Sequence, residues 1–328
     1  MNTVTQRPRI AVTGRIPLPG LEELRLIGDV WEWEHDSAPT PNTVYAAVNG
    51  VDAAVTLLTT KVDDAFLDAA GPQLKVVANV AVGYNNIDVA ACAARNVIVT
   101  NTPGVLTDAT ADLAMALVLM ATRRLGEGER VIRSQTSWQW GMFYLLGTSL
   151  QGRRLGIIGM GDIGTAVARR ARAFGMEIAY SNRRRVTPEL EAELSATYVS
   201  LDDLLASSDV VSLHCPYSPT THHLINAEAL ARMRPTAFLV NTARGPPHPP
   251  PALVSALERG VIGGAGLDVF EHEPVVHPGL LGCENAVLVP HLGSATVETR
   301  TAMAVLAARN AVAVLSGLAP LTPVAPPA

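Results

Sequence analysis

Cysteine is scarce in this chain of 328 residues: Cys92, Cys215 and Cys283 are the whole set, and they stand far apart. Widely spaced thiols make neither a disulfide framework nor a zinc pattern, so they are expected to be buried thiols in a reducing cytoplasm, and no metal ligand set is expected. Lysine is scarcer still, with Lys61 and Lys75 against 23 arginines. Positive charge is not in excess: the net charge of −5 excludes a general basic surface for nucleic acid. No apolar run is long enough to cross a bilayer, and the longest helix-like one, ADLAMALVLMA (111–121), reads as a core helix. The opening MNTVTQRPRIAVTG has no signal-peptide apolar region, so a cytoplasmic protein without a membrane partner is expected. With 48% apolar and 17% charged residues, the composition is that of a soluble globular protein, and the length suffices for two domains with sizeable cores.

The most informative stretch is LGIIGMGDIG (155–164), followed by TAVARRARAFG. A short apolar strand runs into Gly159-Met160-Gly161-Asp162-Ile163-Gly164 and then into a helix. This order suits a dinucleotide pyrophosphate. Gly159 permits the tight turn, Gly161 lets the backbone approach the phosphates, Gly164 lets helix and strand pack closely, and the helix N-terminus supplies N–H groups.

The next apolar segment, MEIAY (176–180), ends in Ser181-Asn182-Arg183-Arg184-Arg185. A dinucleotide site for NAD places Asp or Glu here to bind the ribose 2′-hydroxyl. Asn182 stands there instead, and arginines follow. A carboxylate repels a 2′-phosphate, whereas guanidinium groups bind one, so NADP(H) is the preferred cofactor and NAD(H) the alternative. The same arginines also fit a solvated turn.

Two series of strands spaced by helical patterns follow one another. RIAVTG (9–14), VDAAVTLL (51–58), LKVVANVAV (74–82) and NVIVTN (96–101) form the first, with helices or helix-and-turn connectors at GLEELRLIG, PNTVYAAVNG and DDAFLDAAG. LGIIGMG, MEIAY, DVVSLHCP, TAFLVNTARG, GGAGLDVF and AVLVPHLG form the second. Alternation of this kind implies parallel sheets. One long helix over 102–124, capped by Thr107 or Asp108, is expected to bridge the series. A last amphipathic helix is expected over 296–317, followed by a mobile proline-rich tail, APLTPVAPPA.

In an open parallel sheet, ligands lie beyond the carboxyl ends of the strands. In the second series those ends carry His214-Cys215-Pro216, Asn241-Thr242-Ala243-Arg244, Glu271-His272-Glu273 and His291-Leu292-Gly293. An arginine, a glutamate and a histidine thus fall on the edge that holds the fingerprint glycines. Hydride transfer to a carbonyl carbon needs a proton at oxygen, and histidine is the usual general acid near neutral pH. A neighbouring carboxylate favours the imidazolium and orients the ring. An arginine binds a carboxylate or polarises a carbonyl.

These residues resemble the D-isomer-specific 2-hydroxyacid dehydrogenases, and within them the glyoxylate/hydroxypyruvate reductase branch. The matching motifs are VGYNNID (82–88), LGIIGMGDIG, LHCP (213–216), NTARG (241–245), AGLDVFEHEP (265–274) and PHLGSAT (290–296), which cover nearly the whole chain. The resemblance implies an α/β fold of two Rossmann-like doubly wound parallel-sheet domains with a cleft between them. The substrate domain would be discontinuous, 1–102 plus 292–328, and the dinucleotide-binding domain would be 103–291. It implies reduction of a small 2-keto acid, glyoxylate or hydroxypyruvate, to the D-2-hydroxy acid. Arg244 would bind the substrate carboxylate or keto oxygen, His291 would be the general acid, and Glu273 its partner. Backbone N–H groups around Val82 and Gly83 would hold the substrate carboxylate, and Leu58 and Trp140 would shape the pocket. Asp268 would meet the nicotinamide carboxamide, with Cys215, Pro216, Thr242, Ala243, His291 and Gly293 also at the cofactor, beside the fingerprint residues Met160, Asp162 and Ile163. Members of the family are usually homodimers, and Trp140 matches a tryptophan that reaches the partner's pocket. A D-lactate-type or other NADH-linked dehydrogenase remains a rival reading.

One stretch departs from the family pattern. After NTARG the family has a GPVVDE-like sequence whose acids help start the next helix; here Pro246-Pro247-His248-Pro249-Pro250-Pro251 precedes ALVSALERG. The run lacks an acidic cap, has few backbone donors and favours extended polyproline geometry, although a proline is tolerated in the first helical turn. A shifted backbone here would misplace Arg244. That break supports a reading of another class: a catalytically weak NADP(H)-binding sensor or corepressor-like protein.

Overall fold

The computed structural model describes residues 7–326. The chain divides into two compact units, one of residues 1–106 and 295–328, the other of residues 107–294.

The first unit opens with β1 (Arg9–Val12), α1 (Leu18–Ile27), β2 (Asp29–Glu32), α2 (Pro41–Val48), β3 (Ala53–Thr56), α3 (Asp64–Ala70), β4 (Val76–Asn79), α4 (Val89–Ala94) and β5 (Ile98–Thr100). The five strands form one parallel sheet in the order β2-β1-β3-β4-β5. Its inner strands β1, β3 and β4 are largely apolar because both faces are covered. Val12, Val55 and Ala78 point to one core, while Ala11, Ala54 and Val77 point to the other. β2 was not expected from the sequence. It is a four-residue edge strand, DVWE, and its polar residues hide the pattern. Asp63 and Asp88 cap α3 and α4 by accepting the N–H groups of Phe66 and Ala91.

The second unit contains α5 (Thr107–Thr122), α6 (Leu125–Arg133), β6 (Arg154–Ile158), α7 (Asp162–Ala173), β7 (Glu177–Ser181), α8 (Pro188–Leu194), β8 (Ala196–Tyr198), α9 (Leu201–Ser207), β9 (Val210–Leu213), α10 (Ala227–Arg232), β10 (Phe238–Asn241), α11 (Pro250–Glu258), β11 (Gly264–Leu267), α12 (Pro278–Leu281) and β12 (Ala286–Leu288). Its seven strands are parallel in the order β12-β11-β10-β9-β6-β7-β8. Val210 and Val240 join the core that holds α5 and α7, and Val211 and Leu239 join the core that holds α10 and α11. The order reverses between β6 and β9, and that switch point is where such sheets bind ligands. The short edge strand β8 adds a seventh strand to the six expected.

The last helix, α13 (Val297–Leu315), belongs to the first unit and is capped by Thr296. It lies along α1 so closely that a Cβ on Gly20 would come within 2.9 Å of the Ala304 backbone.

Three expectations are corrected. The long helix over 102–124 is shorter, because Gly104 at φ +82° stands outside helical geometry and Arg124 at φ 55° separates α5 from α6. Thr107 is therefore the first residue of α5. The tail is tied down where it was expected to be mobile: Thr322 exchanges hydrogen bonds with Asn310, and the Val324 N–H donates to the Val99 carbonyl at 2.8 Å. Its last two residues, 327 and 328, and the opening residues 1–6 lie outside the described part. The proline run makes a turn in place of an extended segment. The His248 N–H donates to the Gly245 carbonyl, and α11 starts at Pro250 without a side-chain cap.

Candidate active site

The glycine fingerprint lies at the switch point. Gly159 has φ +98°, and a Cβ there would sit 2.5 Å from the Cys215 nitrogen, on the end of β9. A Cβ on Gly164 would come within 2.4 Å of the Gly159 carbonyl oxygen, so both positions require glycine. Gly161 differs: a Cβ there meets nothing within 4 Å. Packing within the chain does not require that glycine, and its backbone stands open to solvent. The first-turn N–H groups of α7, at Asp162 and Ile163, have no helical acceptor and face the same turn. The Thr242 hydroxyl, on the end of β10, is buried without a partner among the described residues. An open cradle, free N–H groups and an orphaned hydroxyl fit a dinucleotide.

Asn182, on the end of β7, is committed to this turn, since its Oδ1 accepts the Met160 N–H at 2.7 Å. Of the three arginines that follow, Arg185 is paired with Glu191, while Arg183 and Arg184 are exposed. Cys215 is buried, and burial pushes its thiol pKa up; Pro216 beside it is exposed.

The arginine, the glutamate and the histidine are carried by connections leaving β10, β11 and β12. Asn241 sets the first of these: its Oδ1 accepts the Ala243 N–H at 2.9 Å and its Nδ2 donates to the Arg244 carbonyl at 2.5 Å. Gly245 lies against the next connection, where a Cβ would be 2.0 Å from the Phe270 carbonyl carbon. The proline run is anchored as well, because the Pro246 and Pro247 carbonyls accept the N–H groups of His223 and Ile225. The backbone around Arg244 is thus held despite the missing acids. Burial lowers the pKa of the Arg244 guanidinium, and the charge of Glu273 opposes that shift.

Glu273 and His291 meet directly. Glu273 Oε2 lies 2.7 Å from His291 Nδ1, and Oε1 accepts the Phe270 N–H at 2.9 Å. Burial pushes the Glu273 carboxyl up, but the His291 hydrogen bond and charge, the Phe270 N–H and Arg244 outweigh it and hold the pKa below the usual range. Glu273 is therefore a carboxylate that leaves His291 Nε2 as the outward nitrogen. His291 adopts φ 52°, a conformation uncommon for a residue with a side chain.

Asp268 holds that conformation. Its carboxylate accepts the N–H groups of Leu292 and Gly293 at 2.5 and 2.9 Å, and its carbonyl accepts the His291 N–H at 2.8 Å. Burial pushes its carboxyl pKa up, against those N–H groups. The sequence pointed to Asp268 as a cofactor residue and missed this supporting role.

Leu58, Val82 and Gly83 belong to the first unit. Leu58 is exposed after β3. The 82–86 loop is pinned by asparagines that sequence reasoning missed: Asn79 Nδ2 donates to the Gly83 carbonyl and Asn101 Nδ2 to the Val82 carbonyl, both at 2.8 Å. Their only sequence signal is a polar residue closing an apolar strand, in VVAN and VTN. Trp140 lies in the long connection before β6 and is 78% exposed.

Among the described residues no helix is long and apolar enough to cross a membrane. The family model of the D-isomer specific 2-hydroxyacid dehydrogenase NAD binding domain matches residues 115–293. The chain is 46% identical to a glyoxylate reductase of Thermococcus onnurineus over 321 residues, covering 96% of this chain and 95% of that one. It is 45% identical to a glyoxylate reductase of Thermococcus litoralis over 319 residues, 96% of each. Among solved structures it is similar to an NADPH-dependent glyoxylate/hydroxypyruvate reductase from Sinorhizobium meliloti in complex with NADP and malonate, with a TM-score of 0.85, 39% identity and 98% of each chain covered.

Proposed function

Since the chain belongs to the D-isomer-specific 2-hydroxyacid dehydrogenase family, we propose that it reduces glyoxylate or hydroxypyruvate to the 2-hydroxy acid, with NADPH as the preferred reductant. The observation that carries this reading is the Glu273–His291 pair at 2.7 Å, on the same sheet edge as a glycine turn with room for a pyrophosphate. The nicotinamide cofactor, when bound, supplies the hydride. His291 donates the proton from Nε2 to the carbonyl oxygen, and Glu273 on Nδ1 keeps the ring oriented. Arg244 binds the substrate's carboxylate or keto oxygen. Asp268 sets the turn that aims His291. The N–H groups of Val82 and Gly83 serve a substrate carboxylate, an assignment that rests on their loop alone.

NADPH preference rests on Asn182 in the place of an acid and on exposed Arg183 and Arg184, two guanidinium groups free for a 2′-phosphate. The unit of residues 107–294 is assigned to the cofactor and the discontinuous unit to the substrate. A homodimer is supported by the apolar surface around Trp140, Met142, Phe143 and Leu146, of which Phe143 is 88% exposed.

Initial rates with glyoxylate, hydroxypyruvate and pyruvate, each with NADPH and with NADH, test the proposal, with Arg244→Ala protein as the control for contaminants. Turnover of glyoxylate or hydroxypyruvate that prefers NADPH is expected. Cofactor binding without turnover of any keto acid would overturn the catalytic reading, and faster turnover with NADH would overturn the cofactor preference.

A further inference from the structure

A second cluster of polar side chains lies on connections that leave three adjacent strands of the seven-stranded sheet. His222 and His223 belong to the connection between β9 and α10, Glu271 follows β11, and His248 lies in the turn between β10 and α11. None has a part in the reaction above. His223 Nε2 lies 3.0 Å from Glu271 Oε1, and the imidazoles of His222 and His223 stack with centroids 3.8 Å apart. One ligand atom from each of His222, His223 and Glu271 lies within 4.8 Å of the other two. His222 is exposed, so solvent reaches the group, while His223 and Glu271 are partly buried.

His248 lies near the cluster as a buried imidazole. Its side chain is 1% exposed, and neither ring nitrogen has a partner among the described residues. A buried imidazole without a hydrogen bond carries a desolvation cost that proteins rarely leave uncompensated. The ring adjoins the cluster: Glu271 and His223 both act on it electrostatically. The backbone binds the connections together as well, through His223 to Pro246 and Ile225 to Pro247.

We propose that His222, His223 and Glu271 bind one divalent transition-metal ion of the zinc class. Two imidazole nitrogens and one carboxylate oxygen suit such an ion, whereas magnesium and calcium prefer oxygen donors alone. Tyr217 Oη lies 3.4 Å from His222 Nδ1, which leaves Nε2 for the metal, an arrangement common around metal-bound histidines. Ligand atoms around a tetrahedral ion stand about 3.3 Å apart, so the three atoms, now within 4.8 Å of one another, draw together on binding. Three protein ligands leave a fourth position for water. The ion takes over the charge of Glu271 and ties the connection before α10 to the one after β11, two residues from Glu273.

Titration of the full-length, chelator-treated protein with Zn2+ by calorimetry tests this, with the visible spectrum of added Co2+ as the second readout. Wild type is expected to bind one ion per chain and to give the Co2+ spectrum of a nitrogen- and oxygen-ligated site. His222→Gln, at an exposed position, and Glu271→Gln, which keeps the side-chain shape, are each expected to weaken binding by about 100-fold and to remove the spectrum. His35→Gln, a surface control, is expected to change neither. The proposal is overturned by the absence of saturable Zn2+ binding to wild type, by equal binding in both cluster variants, or by Mg2+ binding as tightly as Zn2+.

Discussion

Acidification probes the environment of His214 with a calculable magnitude. The residue closes β9 beside the fingerprint, its Nε2 lies 2.8 Å from Ser212 Oγ, and its Nδ1 is buried without a partner. Burial lowers its pKa from 6.5 to about 4. The folded pKa lies below the unfolded one, so between these values the unfolded chain binds a proton that the folded chain refuses. The contribution to stability is therefore complete above 6.5, is lost as the pH falls toward 4, and changes no further below that. From pH 7 to pH 5 the loss is about 2 kcal/mol, from about 1.4 kcal/mol per pH unit across the window. His214→Gln keeps a polar side chain near Ser212 but takes up no proton. Urea unfolding of the ligand-free protein at both pH values, with m held common, reads the difference. Wild type should lose about 2 kcal/mol more than the variant over this range. Every other titrating group is present in both proteins and cancels. Stability curves that run parallel for the two proteins would refute a buried, neutral His214.

Further outcomes follow from the cofactor and catalytic edges. His291→Ala should leave the cofactor Kd nearly unchanged while kcat falls by about 10²-fold or more; unaltered turnover would remove His291 from the chemistry. Gly161→Ala places its methyl in open space, so Tm should hold while the cofactor Kd rises at least about tenfold, whereas Gly159→Ala, with φ +98° and a backbone clash, should lower stability by about 2 kcal/mol or more. Equal effects of the two substitutions on both readouts would contradict the assignment of Gly161 to the ligand. Asn182→Asp keeps an oxygen for the Met160 N–H and adds a charge, so the ratio of KM for NADPH to KM for NADH should rise by about tenfold; an unchanged ratio would mean that this position does not face the ribose.

Much of the second unit was legible because its signals are local. A strand buried on both faces is a continuous apolar run, many helix starts carry Ser, Thr, Asp or Asn, and a tight turn against a helix needs glycine. The elements around Gly159, Gly161 and Gly164 follow from those needs alone. Edge strands escaped, since DVWE and ATY expose polar residues and carry no apolar run. The helix over 102–124 was drawn too long at both ends, where Gly104 and Arg124 take positive φ. The tail composition suggested mobility, and its tether to Asn310 and Val99 is a long-range pairing that composition does not encode.

By itself the sequence determined the sheet class, the cofactor turn and the residue types gathered at the strand ends, because alternation, glycine placement and strand-end position are properties of neighbouring residues. Only the tertiary structure decided how those residues are paired. Glu273 and His291 are separated along the chain by all of α12 and β12, and their 2.7 Å contact exists because β11 and β12 lie side by side. The same is true of Asp268, which became the brace of His291, and of His248, which packing left buried beside His223 and Glu271. Pairings of this kind depend on strand order and register, and these are fixed by the burial of the whole core.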